Sequence, residues 1–141
     1  MSAYGQWRRA VLAAVLLAGA CTLWIVFAPL QLGGGSAYVI VDGNSMEPRF
    51  HAGDLAVVHR AQDYAAGDIV AYWNPGMGRY VFHRIIAAQG ARFLLRGDHN
   101  TWDDSYRPAQ AEIVGRLWFA LPGAGGAIRW LRQPLPMGLA A

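Results

Sequence analysis

Tyr38-Val39-Ile40-Val41-Asp42-Gly43-Asn44-Ser45-Met46-Glu47-Pro48 opens a stretch that runs through Arg49-Phe50-His51-Ala52-Gly53-Asp54 into Leu55-Ala56-Val57-Val58. An apolar, β-branched run ends at Gly43-Asn44, and a lone serine follows. Pro48, three residues on, stops the chain from re-forming a regular element. The Gly53-Asp54 turn signal then starts a second strand. This pattern sets a small hydroxyl at the end of a strand, where the serine's own N–H can also face a substrate. A nucleophile needs that placement. The same residues also read as an ordinary turn that contains a serine, so the rest of the chain has to decide.

Working outward, short apolar runs alternate with turn signals. The predicted strands are Tyr38–Val41, Leu55–Arg60, Ile69–Trp73, Tyr80–Ala88, Arg92–Arg96 and Ile113–Ala120. Asn74-Pro75-Gly76-Met77-Gly78 reads as a hairpin loop and Gln89-Gly90 as a tight turn. No helical period of useful length follows residue 33, Ala61–Ala66 being enough for one turn only, and no repeat is present. The expectation is a mostly β chain: a small all-β domain over 38–121, then a Gly/Pro-rich tail over 122–141. Leu117–Leu121 ends in a Pro-Gly breaker and is too short to cross a bilayer. Trp118, Phe119, Trp130 and Leu131 fit either a core or a membrane surface.

Before the strands, Ala10 to Leu30 carries no charged residue, and Arg8-Arg9 stands directly ahead of it. As a helix this run spans about 31 Å, against about 30 Å of bilayer hydrocarbon. A cleaved signal peptide usually has a shorter apolar core of about 7–15 residues. Trp7, Trp24 and Phe27 sit where interfacial anchors belong. The reading is therefore one transmembrane anchor over 10–32, after a cytoplasmic N-terminus over 1–9 and before a flexible tether over 33–37. Arginines ahead of the span hold the N-terminus in the cytoplasm and send the rest across the cell membrane. Arg8-Arg9 lacks the remainder of a twin-arginine signal.

Composition narrows the function. The net charge is +3, and Arg8 and Arg9 supply two of those charges, leaving ten arginines against nine acids. No basic surface argues for nucleic acid. Every basic residue is arginine; the chain contains no lysine. The single cysteine, Cys21, excludes an internal disulfide.

A serine nucleophile needs a base within hydrogen-bond reach, and the usual ones are histidine and lysine. Without lysine the base must come from His51, His59, His83 or His99. His51 and His59 sit by turns or strand ends and read as solvated. His83 lies in Tyr80-Val81-Phe82-His83-Arg84-Ile85-Ile86, on one strand face with Val81 and Ile85. An apolar face disfavours a charged imidazolium, although a lone histidine in a strand is more often bonded to backbone. An orienting carboxylate would come from Gly97-Asp98-His99-Asn100-Thr101-Trp102-Asp103-Asp104-Ser105-Tyr106-Arg107, which otherwise reads as a polar loop. A zinc site from His83, Asp98, His99 and Asp103 lacks the spaced Cys or His pairs of such sites, so no metal or other cofactor is expected.

Gly43-x-Ser45-Met46-x-Pro48, Gly53-Asp54 with its strand, His83-Arg84-Ile85, and Gly97-Asp98-x-Asn100 with Asp103-Asp104 resemble, in order, the boxes of type I signal peptidases. They are most similar to the branch of the endoplasmic reticulum, archaea and sporulating bacteria, in which histidine replaces the lysine of most bacterial enzymes. The boxes cover about half of the chain, from Gly43 to Arg116. The resemblance implies Ser45 as nucleophile, His83 as general base and Asp104 as the triad carboxylate, with Asp98 orienting the loop and Asp103 a less favoured substitute. It implies an oxyanion site at the Ser45 N–H, flanked by Gly43 and Met46. It also implies preprotein signal peptides as substrates, cut after small residues at a membrane-lipid surface. Two departures stand out. Gly43 occupies the place where many bacterial members carry a hydroxyl as second oxyanion donor, and His99 stands where the related pattern more often has asparagine. Nothing in the sequence specifies accessory subunits. Two other readings are a non-catalytic, membrane-anchored β-domain with a binding or scaffolding role, and a self-cleaving peptidase of the repressor type. The first has no use for the His83-Arg84 pair and the Asp98–Asp104 loop; the second relies on lysine in the cytosol.

Overall fold

The structure is a computed structural model that describes residues 3–131. It divides into two compact units, Met1–Ser36 and Ala37–Ala141. In the first, helix α1 spans Ala3–Phe27. Its window Gln6–Phe27 has a mean hydropathy of 2.5, and Leu12, Leu16, Leu17 and Ile25 are exposed. A helix that is apolar all round suits lipid by length and composition. It starts earlier than the predicted span and stops at Phe27, because Pro29 disfavours helical backbone at the residue before it. A 3₁₀ turn over Leu30–Leu32 follows, and Gly33 closes it with φ 79°. Ser36 then folds back, its hydroxyl donating to the Val26 carbonyl at 2.9 Å.

The second unit is built on one six-stranded sheet. The strands are β1 (Ser36–Ile40), β2 (Leu55–His59), β3 (Ile69–Asn74), β4 (Arg79–Gln89), β5 (Arg92–Arg96) and β6 (Ile113–Leu121), in the order β1-β2-β6-β3-β4-β5. The β2–β6, β6–β3, β3–β4 and β4–β5 pairs are all antiparallel. Side chains alternate across a strand, and β3 is covered on both faces. Ile69 and Ala71 enter one core cluster with Met46, Phe50, Val58 and Phe82, while Val70 and Tyr72 enter a second with Val81, Ile85, Leu95 and Ile113. This explains why β3 reads as an unbroken apolar run.

The expectation that no helix follows residue 33 is corrected by α2, over Ala124–Leu131. Its glycines, which hide the helical period, are there for contact. A β-carbon on Gly125 would stand 2.6 Å from Ile40 Cγ2 and 2.9 Å from the Gly53 carbonyl oxygen. The Gly126 N–H donates to that same oxygen at 2.9 Å. Packing of α2 against β1 and the Gly53 turn has overridden the low helix propensity of glycine. Leu121, Trp118, Trp130 and Leu131 are exposed. The tail beyond Leu131 lies outside the described residues.

Candidate active site

The serine is held by the turn that leaves β1. Val41 keeps the β1 edge in contact with the next turn, its N–H donating to Asp54 O and its carbonyl accepting from Gly53 N. Gly43 then takes φ 80°, a left-handed conformation that glycine adopts without strain. Met46 and Phe50 drop into the core beneath the turn, at 1% and 6% exposure. Asp54 ties the base of this segment, accepting from the His51 N–H and the Gly123 N–H at 2.9 Å each. These two backbone donors, His51 first, hold the Asp54 carboxyl below the ordinary carboxylate range.

With the turn fixed, Ser45 faces β4. His83 Nε2 lies 2.9 Å from Ser45 Oγ, and His83 Nδ1 lies 2.8 and 3.0 Å from the two oxygens of Asp104. An ionised carboxylate only accepts, so Nδ1 carries the proton and Nε2 turns its lone pair to the serine hydroxyl. The His83 and Asp104 side chains are 11% and 10% exposed. Asp104 comes from the loop after β5, fixed to that strand by its own N–H donating to Leu95 O at 2.8 Å. A second donor reaches the carboxylate from β3: Tyr72 OH, 2.8 Å from Asp104 Oδ2. Burial, reinforced by the adjacent Asp104 charge, pushes the Tyr72 phenol well above its ordinary range, so it remains a donor.

The other two candidate carboxylates are occupied elsewhere. Asp98 accepts a bidentate pair from Arg84 at 2.7 and 2.6 Å, and Arg84 also donates to Gly67 O. Asp103 accepts from Arg96 at 2.7 Å. His99, Asp98 and Asp103 therefore do not gather around His83. His99 acts on the site through its backbone, the N–H donating to Ser45 O at 2.9 Å. Gly97 packs on the same carbonyl, with room for no side chain.

These groups open into a cleft of about 790 Å³. Val39 through Met46 forms one wall, so Gly43 and Met46 both border it, and Met77, Tyr80 and Trp102 line it farther out. Among the described residues, no acceptor bonds the Ser45 N–H. Gly43 offers no hydroxyl beside it.

A protein-family profile described as Peptidase S24-like matches residues 21–118. The chain belongs to the Peptidase S24-like family. This family member is 32% identical over 126 residues to the signal peptidase complex catalytic subunit SEC11C of Homo sapiens, an alignment covering 79% of this chain and 65% of that one. It is 32% identical over 104 residues to sec11 of Pyrenophora tritici-repentis, covering 64% and 60% of the two chains. With SEC11 of Debaryomyces hansenii the identity is 29% over 126 residues, covering 79% and 75%. The chain thus spans 65% of the length of its mammalian relatives. These similarities agree with the type I signal peptidase resemblance carried by the sequence boxes.

Sequence reasoning passed over three features of this family member's site: the Tyr72 hydroxyl, the Gly97 contact and the His99 backbone bond. Tyr72 did leave a signal, since a hydroxyl in a strand buried on both faces must find a partner.

Proposed function

We propose that the chain is a membrane-bound serine endopeptidase that removes N-terminal signal peptides from exported preproteins. The observation that carries this reading is the unbroken series Ser45 Oγ, His83 Nε2, His83 Nδ1 and Asp104, opening into a cleft walled by the end of β1. His83 Nε2 takes the Ser45 proton as Oγ attacks the scissile carbonyl carbon. The developing oxyanion accepts from the Ser45 N–H, flanked by Gly43 and Met46. Nε2 then passes its proton to the leaving amine as the C–N bond breaks, leaving the signal peptide as an ester on Ser45. Water enters and gives a proton to His83 as its oxygen attacks the ester carbonyl; the C–Oγ bond then breaks as His83 returns that proton to Oγ, releasing the carboxylate and regenerating Ser45. Asp104 stays ionised throughout and stabilises the imidazolium. Asp98 serves at one remove, through its pair with Arg84, by fixing the loop that carries Asp104.

The substrate's small-residue cleavage site lies in the cleft beside β1. The division proposed is a cytoplasmic segment over 1–9, an anchor over 10–32 and a tether over 33–37, with the catalytic domain over 38–121 outside the cytoplasm and a tail over 122–141. The chain is then a single-pass cell-membrane protein that meets its substrate at the lipid surface. The relatives named above are subunits of a complex, and activity of this chain purified alone tests whether it too needs accessory subunits.

The test is cleavage of a model precursor in detergent by wild type, Ser45→Ala and His83→Ala. The expectation is activity in the wild type only, with all three proteins folded. Full cleavage by either variant overturns the reading.

A further inference from the structure

The hydrogen-bond series does not stop at Asp104. Tyr72 is fully buried in the middle of β3 and shares the sheet face of His83, its register partner being Val81, two residues away on β4. Its hydroxyl donates to Asp104 Oδ2, the same oxygen that stands 2.8 Å from His83 Nδ1. Asn74, two residues farther along the same strand, brings its buried side chain near the phenol, and it is itself held by the Met77 N–H at 3.2 Å. Tyr106 stacks on the Tyr72 ring, centroids 6.3 Å apart and planes within 13°, and its own hydroxyl is taken by Glu112 at 2.6 Å. The phenol therefore has one orientation, aimed at the carboxylate.

We propose that Tyr72 is a positioning residue for the triad: its hydroxyl locks the Asp104 carboxylate in the rotation that receives the His83 N–H. A carboxylate rotates freely about its last bond, and one histidine donor does not choose between its oxygens. The two Nδ1 distances, 2.8 and 3.0 Å, are nearly equal. A second donor on Oδ2, arriving from a rigid strand, removes that freedom. It also disperses the Asp104 charge, which moderates how strongly His83 is held as imidazolium. Other charged groups near the pair are committed or peripheral. Asp103 is paired with Arg96, while Asp42, Arg79 and His99 stand on the cleft lining.

The inference rests on the peptidase reading, and the test separates the two. Tyr72→Phe, in the full chain in detergent, keeps the ring, its stacking and the core while deleting the hydroxyl. Melting, kcat and KM from pH 5 to 9, and NMR titration of the His83 ring are compared with wild type. The expected result is an unchanged melting midpoint, kcat lower by about tenfold and KM within about twofold. The less dispersed Asp104 charge also favours the imidazolium, so the acidic limb of the rate profile and the ring titration move to higher pH. Unchanged kcat and limb overturn the Tyr72 role and leave the peptidase reading standing. Reduced kcat with reduced melting and an unmoved limb assigns Tyr72 to packing alone, which also overturns it. If wild type cuts no precursor, the function reading fails by itself. The ring titration still decides Tyr72: an upward move supports the role and an unmoved midpoint overturns it.

Discussion

Gly97 lies so close to Ser45 that a β-carbon on it would stand 2.5 Å from the serine carbonyl oxygen and 3.0 Å from the serine Cβ. The loop carrying Asp104 and the turn carrying Ser45 thus meet backbone to backbone, with the His99 N–H bonding the same carbonyl.

In Gly97→Ala the Asn100 side-chain nitrogen, 2.9 Å from the added carbon, can swing aside, but the Ser45 carbonyl is backbone, so the Ser45 turn itself must move. A displacement of about 1 Å at a reacting group costs on the order of 100-fold in rate. The expected outcome is a folded, membrane-inserted protein with kcat/KM down by about two orders of magnitude. Single-turnover cleavage and circular dichroism of the same sample check it.

The three aspartates of the loop separate by partner. Asp104→Asn should lower kcat by roughly 10³- to 10⁴-fold, because an amide facing His83 Nδ1 no longer fixes the required tautomer. Asp103→Asn loses a half-exposed pair with Arg96 and should stay within about twofold of wild type. Asp98→Asn breaks the bidentate pair with Arg84, whose guanidinium that bond holds further above its ordinary range. Its loss should show chiefly as a lower melting midpoint. Rates and melting curves for the three variants give the ranking.

Asp54 makes acid stability predictable in sign. Its folded carboxyl titrates below the ordinary value, so the folded state binds its proton less readily than the unfolded chain does. The resulting stabilisation is complete above the unfolded pKa of about 3.9 and is lost as pH falls from there through the lower folded value. Asp54→Asn should cost about 1–2 kcal/mol at pH 7. The gap to wild type should narrow below pH 4, as thermal melting across that range would report.

Gly125→Ala tests α2. The added carbon meets Ile40 Cγ2 at 2.6 Å and two backbone oxygens, Gly53 O at 2.9 Å and Asp54 O at 3.0 Å. Overpacking of this kind costs about 1–3 kcal/mol. A reduced melting midpoint is the expected reading, whereas Gly123→Ala, strained only through its φ of 69°, should cost less.

The sheet was legible because its signals are local. β5 spans Arg92–Arg96 as predicted, β2 begins at Leu55, and Gly90 turns at φ 62° between β4 and β5. The Ser45–His83 pairing was legible for a chemical reason: with no lysine in the chain, few residues could serve a serine. The choice of Asp104 rested on box spacing alone, since three carboxylates within seven positions look alike until their arginine partners are folded in. The α2 helix was illegible because Gly123, Gly125 and Gly126 act through distant atoms of the Gly53 turn. Tyr72 was hidden differently. Its ring satisfies the apolar pattern of β3, and only the folded sheet shows what its hydroxyl reaches.

One carboxylate, Asp54, and one carbonyl, that of Gly53, hold the chain beyond β6 against the base of the Ser45 turn, through Gly123 and Gly126. The working boundary of an excised fragment therefore falls after α2, not at β6. A protein cut at Leu121 keeps all six strands and Ser45, His83 and Asp104, yet it sheds these two tethers, the Arg129 bond to the Val41 carbonyl and the cover over Ile40. Nicking by an added protease between β6 and α2 would then loosen the serine's support without touching any residue of the cleft.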